Sequence, residues 1–163
     1  MKLIERANIS SVADELRNAG KTIVFTNGCF DLLHAGHVRY LAGSRALGDC
    51  LIVGLNSDAS VRSLKGPTRP VNSQEDRAEV LAALTAVDYV VIFDEITAES
   101  LVAAIKPDIY AKGGDYIIEA LPENKVVVAY GGKTVLVPEV PGRSSSNIIR
   151  KLSEIDNRGE THS

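Results

Sequence analysis

Residues 22–37 read T-I-V-F-T-N-G-C-F-D-L-L-H-A-G-H. The first five are β-branched or aromatic, the residue types that fit a pleated, buried strand. Gly28 then breaks the run, and from Gly36 the pattern becomes helical up to Gly48. A buried strand running through a glycine turn into a helix is the opening of a β-α-β unit. The same alternation recurs on either side. Before it, residues 10–19 form a predicted helix stopped by Gly20. After it come strands at 51–55 (LIVGL), 89–93 (YVVIF), 108–111 and 133–137 (KTVLV). Between them lie predicted helices at 58–64, 73–84, 97–106, 122–130 and 144–155, with Ser73 and Thr97 as N-caps, Asp76 as the capping-box partner of Ser73, and Pro107 as a stop. The stretch 65–71, KGPTRPV, is a loop by its glycine and two prolines.

Five apolar strands separated by helices predict an α/β fold: a Rossmann-like, doubly wound, five-stranded parallel sheet covered on both faces. The chain has 163 residues and no linker or repeat. It therefore reads as a single domain over 1–155, with a polar, disordered tail over 156–163. In such sheets ligands sit beyond the carboxyl ends of the strands. That rule points to the loops after Thr26, Leu55, Phe93, Ala111 and Val137.

Composition narrows the function. A net charge of −3 with mixed signs gives no basic stripe, so nucleic acid is not an expected partner. No apolar run approaches the roughly 20 residues of a membrane span, and residues 1–6 lack the apolar core of a signal peptide. A cytoplasmic protein is expected, and its two cysteines, Cys29 and Cys50, are expected to be unbridged and inert.

The chemistry concentrates in the opening stretch. His34 and His37 are two of three histidines in the chain, and they flank Gly36 where a helix begins. A helix start offers unpaired N–H groups and partial positive charge, and glycines let backbone approach a phosphate. Imidazoles add donors, with charge available near neutrality. A zinc site is disfavoured, because only Asp31 lies at a plausible ligand spacing. Lys65, Arg69, Arg77, Lys112 and Arg143 fall in or beside loops at the active edge, where a polyanion would need them. Arg143 also precedes Ser144-Ser145-Ser146, three hydroxyls opening the last helix.

These residues resemble a known family. The segment NGCFDLLHAGH matches the G-x-F-D-x-x-H-x-G-H signature of the cytidylyltransferase-like superfamily at Gly28, Phe30, Asp31, His34, Gly36 and His37. The segment from Arg143 to Ile149, RSSSNII, resembles the superfamily's second hallmark, with serines where threonines are more usual. Further along, LIVGLNSD, KGPTRPVN, Arg77 and KGGDY resemble the adenylyltransferases that make ADP-glycero-manno-heptose. The resemblance covers residues 21–152.

The resemblance implies an enzyme that joins AMP from ATP to D-glycero-D-manno-heptose 1-phosphate and releases pyrophosphate, with Mg²⁺ carried by ATP. It implies catalytic roles for His34, His37 and Lys65. It places Thr26, Asn27, Gly28, Cys29, Phe30, Gly36, His37, Asn56, Asp58, Arg143, Ser144, Ser145 and Ser146 on the nucleotide. Asp31, Arg69, Arg77, Lys112, Gly113 and Asp115 fall to the sugar phosphate. A homodimer is expected, as is a separate heptose kinase elsewhere in the pathway. A cytidylyltransferase acting on a polyol or amino-alcohol phosphate is the alternative within the superfamily. A catalytically silent nucleotide-binding protein is the alternative outside it.

Overall fold

The computed structural model describes residues 2–138 and 145–160; the calls on Arg143 and Ser144 lie outside the described residues. In chain order the helices are α1 (Ile9–Asn18), α2 (Ala35–Arg45), α3 (Asp58–Lys65), α4 (Gln74–Ala82), α5 (Glu99–Ile105), α6 (Pro122–Ala129) and α7 (Ser145–Glu160). The strands are β1 (Ile23–Gly28), β2 (Cys50–Asn56), β3 (Tyr89–Phe93), β4 (Ile109–Gly113) and β5 (Lys133–Val137). All pair in parallel, in the order β3-β2-β1-β4-β5. This is the expected doubly wound α/β sheet.

Strand side chains alternate between two cores, as a period of two requires. Ile23, Phe25, Ile52, Val91 and Tyr110 face one side, where α1, α5 and α6 contribute Ile9, Leu101, Ile105 and Val127. Val24, Leu51, Val53, Val90 and Ala111 face the other, against Leu41 of α2 and Leu81 of α4. Both faces are thus covered. The N-terminal segment adds something the alternation did not predict. Ile4 N–H donates to Val90 O (2.8 Å) and Val90 N–H to Lys2 O (2.9 Å), which covers part of the exposed edge of β3.

Two helix ends differ from expectation. Thr97 does not cap α5. Its hydroxyl turns to Glu99 (3.0 Å), Ala98 takes the cap position, and the Ala98 N–H is met by the Glu123 carboxylate from α6 (3.0 Å). A tertiary partner has replaced the local one. At the other end, α7 continues to Glu160, so residues 156–160 are helical where a tail was expected. Missing apolar periodicity argues against packing, not against helix, and no proline follows Ile155 to stop the turn.

Candidate active site

The order of the sheet makes the site. From β1 the chain crosses to β2 and β3 on one side, and β4 and β5 lie on the other, so the winding reverses between β1 and β4. These two strands pair only at Val24–Ile109 and Phe25–Tyr110, then part. Tyr40 of α2 spans the opening. Its hydroxyl donates to Ala111 O (3.1 Å) and meets Thr26 Oγ1 (2.6 Å). Above the gap lies a pocket of about 610 Å³. Thr26 is fully buried beneath it and supports the floor rather than lining it.

Residues Asn27 to Asp31 form the floor, and the helix start carries His34 and His37 into it. Gly28 is required here, because a Cβ would stand 2.9 Å from the Phe30 ring. That ring in turn packs against His37, centroids 5.5 Å apart. His34 is the N-cap of α2. Its Nδ1 accepts from Gly36 N–H (3.0 Å), while its own N–H donates to His37 Nδ1 (3.3 Å). The two rings lie 4.0 Å apart.

This geometry decides the protonation of both rings. A nitrogen that accepts from N–H has its lone pair free, so the hydrogen of each neutral ring sits on Nε2. Burial first, then the His34 ring and Lys65, push the His37 pKa down to about 4. His37 therefore works at neutral pH as an Nε2–H donor and not as an imidazolium cation, and His34, whose Nδ1 accepts from Gly36 N–H, presents its Nε2–H beside it. The charge expected from the sequence is supplied by other residues.

Asp31 and Arg77, both expected on the sugar phosphate, have their polar atoms engaged by the protein itself. The Asp31 side chain is fully buried and its oxygens are occupied. They accept from Val71 N–H (2.9 Å), Asn72 N–H (3.0 Å) and Arg69 Nε (2.9 Å). Burial alone would raise this carboxyl; the two backbone N–H groups and Arg69 outweigh it and hold the pKa below the usual value. Asp31 thus ties the 65–72 loop to the signature segment. Arg77 is equally enclosed. It donates to Cys29 O (2.7 Å), Asn56 O (2.8 Å), Asn72 O (3.0 Å) and the Asp58 carboxylate (2.8 Å). A guanidinium with these four partners braces the ends of β1 and β2 from beneath and does not line the pocket. Asp58 is its counter-ion and likewise stands outside the pocket.

Comparison with known proteins accounts for the arrangement. The family model described as cytidylyltransferase-like matches residues 25–157. The chain belongs to the cytidylyltransferase-like family. It is 52% identical over 151 residues to the bifunctional protein HldE of Syntrophotalea carbinolica, covering 93% of this chain and 31% of that one. It is 55% identical over 152 residues to the bifunctional protein HldE of Pelobacter propionicus, with the same coverage of 93% and 31%. The chain thus spans about a third of the length of these curated relatives. Among solved structures, the lipopolysaccharide core biosynthesis protein of Thermoplasma volcanium superposes with a TM-score of 0.61 at 28% identity, covering 74% of this chain and 98% of that one.

Within this cytidylyltransferase-like pocket, Lys65, Arg69 and Lys112 supply the cations. Arg69 keeps one face toward Asp31; its Nη1 reaches Ser146 Oγ (3.4 Å), and its Nη2 is buried with no hydrogen-bond partner among the described residues. Lys112 Nζ lies 5.2 Å from the centre of the Tyr116 ring. Gly36, Asn56, Gly113 and Ser146 line the pocket as expected. Asp115 is exposed and outside it, and the side chain of Ser145 is not described. Cys29 lines the floor, with burial raising its thiol pKa, so it stays a thiol. Cys50 is buried at the start of β2 and both thiols are unbridged.

Sequence reasoning missed Tyr40, Leu64, Ile96, Leu121, Pro122 and Glu123, all of which line the pocket. Tyr40 was findable: it lies three residues after His37 and so shares its helix face. The others come from segments far apart in the chain, and only the fold brings them together.

Proposed function

We propose that the chain transfers AMP from ATP to D-glycero-D-manno-heptose 1-phosphate, giving ADP-heptose and pyrophosphate. One observation carries this reading. The two segments that resemble heptose adenylyltransferases, KGPTRPVN and KGGDY, wall the same pocket as the two histidines, through Lys65, Arg69, Lys112 and Gly113. The HldE relatives, each more than 50% identical, support it.

The substrate phosphate is already a nucleophile. Its oxygen attacks the α-phosphorus of ATP, a new P–O bond forms, and the bond to the β-phosphate oxygen breaks. No covalent enzyme intermediate is needed, so the protein's contribution is positioning and charge stabilisation. His34 and His37 donate through Nε2–H to the α-phosphoryl group as its charge redistributes. Lys65 and the start of α7 at Ser146 hold the departing pyrophosphate, and Arg69, which the resemblance put on the sugar phosphate, joins them through its contact with Ser146; Arg143 and Ser144 are assigned to the nucleotide by the resemblance alone. Mg²⁺ supplies further neutralisation of the triphosphate. Among the described residues no cluster of His, Cys, Asp and Glu is fit to hold a metal, and the oxygens of Asp31 are committed to backbone N–H groups and Arg69. In this reading the cation would be held by phosphate and water oxygens. Two copies are the expected assembly, with a heptose kinase supplying the 1-phosphate. No helix among the described residues is long and apolar enough to cross a membrane, and a cytoplasmic location is expected.

Pyrophosphate release from ATP, CTP and GTP, each with heptose 1-phosphate and with polyol phosphates, tests the reading. ATP with the heptose should be the preferred pair. Equal turnover with CTP would remove the adenylyl assignment, and inactivity with every pair would remove the enzyme.

A further inference from the structure

The pocket walls differ in charge, and the acidic residue on one of them has no role in the chemistry above. His34 and His37 lie ring to ring (4.0 Å) and Arg69 reaches Ser146 (3.4 Å), and with Lys65 these residues of α2, α3, α7 and the loop after α3 give the pocket its donors and most of its cations. From β4 and the segment after it come Lys112, Gly113, Tyr116, Leu121, Pro122 and Glu123, which line the pocket with Ile96; we take these as its second wall. Glu123 is only 5% exposed yet lines the pocket. Its Oε1 is taken by Ala98 N–H (3.0 Å), and its Oε2 accepts no hydrogen bond from the described residues.

A second polar group beside it is set in orientation. Tyr110 is buried, and burial first, then the Glu123 charge, push its pKa far up, so its hydroxyl keeps its proton. That hydroxyl donates to Asn27 Oδ1 (2.5 Å). The Asn27 oxygen is therefore fixed toward Tyr110 and its amide N–H groups are turned the other way, with Asn27 lining the pocket floor. The pocket thus offers a carboxylate acceptor at Glu123 and an amide donor on its floor at Asn27, with the apolar Ile96, Leu121 and Pro122 in the same lining.

We infer that Glu123 and Asn27 recognise hydroxyl groups of the acceptor sugar, Asn27 thereby serving the acceptor where the resemblance put it on the nucleotide, with Tyr110 as the positioning residue for Asn27. This rests on the proposed transfer to a sugar 1-phosphate. Two arguments select the acceptor. A carboxylate repels phosphate, so the neutral polyol part of a ligand belongs beside Glu123. An in-line displacement also needs attacking and leaving oxygens on opposite sides of the α-phosphorus. With pyrophosphate on the cationic wall, the acceptor enters along the other, its phosphate near Lys112 and its hydroxyls near Glu123. The ribose of ATP is the competing source of hydroxyls, and the experiment separates the two.

Glu123→Gln keeps an oxygen for Ala98 N–H and removes the charge, so the fold is preserved while the contact weakens. Steady-state kinetics should show KM for heptose 1-phosphate raised by about tenfold or more, the range for losing a hydrogen bond to a charged group. ATP affinity from calorimetry should hold, and the ratio of turnover with ATP to that with 2′-deoxy-ATP should be the same in the variant as in the wild type. Tyr110→Phe, which lets the Asn27 amide turn, should raise the same KM. A fall in ATP affinity, or a changed ratio of turnover between ATP and 2′-deoxy-ATP, would assign Glu123 to the ribose and overturn the inference. So would an unchanged sugar-phosphate KM in an active variant. Inactivity of the wild type with every sugar 1-phosphate would instead overturn the proposed function itself, and this inference with it.

Discussion

At the residue scale the two histidines illustrate how spacing can place a motif while hiding part of its chemistry. The spacing His34-Ala35-Gly36-His37 pointed to a helix start, and the structure puts both residues at the start of α2, in the pocket lining. What the spacing could not show is that each Nδ1 is consumed by a backbone N–H. That detail separates two substitutions that look alike. Asparagine places an oxygen near the position of Nδ1, so His34→Asn should keep the cap of α2 but lose the donor at Nε2. Glutamine reaches the position of Nε2, so His34→Gln should lose the cap, at about 1 kcal/mol, and keep the donor. The expected order of kcat is therefore wild type, then Gln, then Asn. The Asn variant should be down by about 10²–10³, the loss typical of one preorganised donor. ATP affinity should change far less than kcat in both, the result expected of donors that act, as proposed, on charge growing in the transition state. Rate measurements beside calorimetry check this. An Asn variant faster than the Gln variant would mean that the cap, and not the Nε2 donor, is what the enzyme needs.

At the scale of elements, the 65–72 loop was legible as a loop from KGPTRPV, but its attachment was not. Asp31 lies 40 and 41 positions from the N–H groups of Val71 and Asn72, and no periodicity records such a contact. The same holds for Arg77, whose charge suggested a ligand contact but whose four partners come from residues 29, 56, 58 and 72. Strand positions were legible because apolar runs report burial directly. The cap of α5 was not, since Glu123 reaches it from another helix. Asp31→Ala supplies a test. It removes the acceptor of two backbone donors and leaves the buried Arg69 without its counter-ion. Breaking a buried pair by removing one partner costs about 3–5 kcal/mol. Urea unfolding should show a loss of that size, and kcat should fall as well, because Lys65 and Arg69 leave their places with the loop. A stable, slow variant would instead make Asp31 a ligand contact; a stable variant of normal rate would leave it no role.

At the scale of the whole molecule, the doubly wound sheet was legible almost in full, because alternation of strand and helix needs no knowledge of which residues meet. Strand order was not, and strand order is what opens the pocket between β1 and β4. Putting donors and carboxylates there has a consequence for the stability of the whole fold. His37 has a folded pKa of about 4 against an ordinary value of 6.5. Between those values the unfolded chain binds the proton and the folded chain does not, so stability falls as pH drops from about 6.5 to about 4. Asp31 acts in the next window. Its folded pKa lies below the ordinary 3.8, so its contribution is present above that value and is lost as pH falls through the folded one. The two windows adjoin on the acid side, and neither group contributes any change above pH 7. Melting temperature should therefore fall steadily from pH 7 to pH 4 and further below it. His37→Gln should flatten the slope between about pH 6.5 and pH 4 and leave the steeper loss below pH 4 in place. Thermal unfolding of both proteins across that range decides the matter: an unchanged slope in the variant would mean that His37 titrates near its ordinary value in the folded chain, and that the pair carries charge after all.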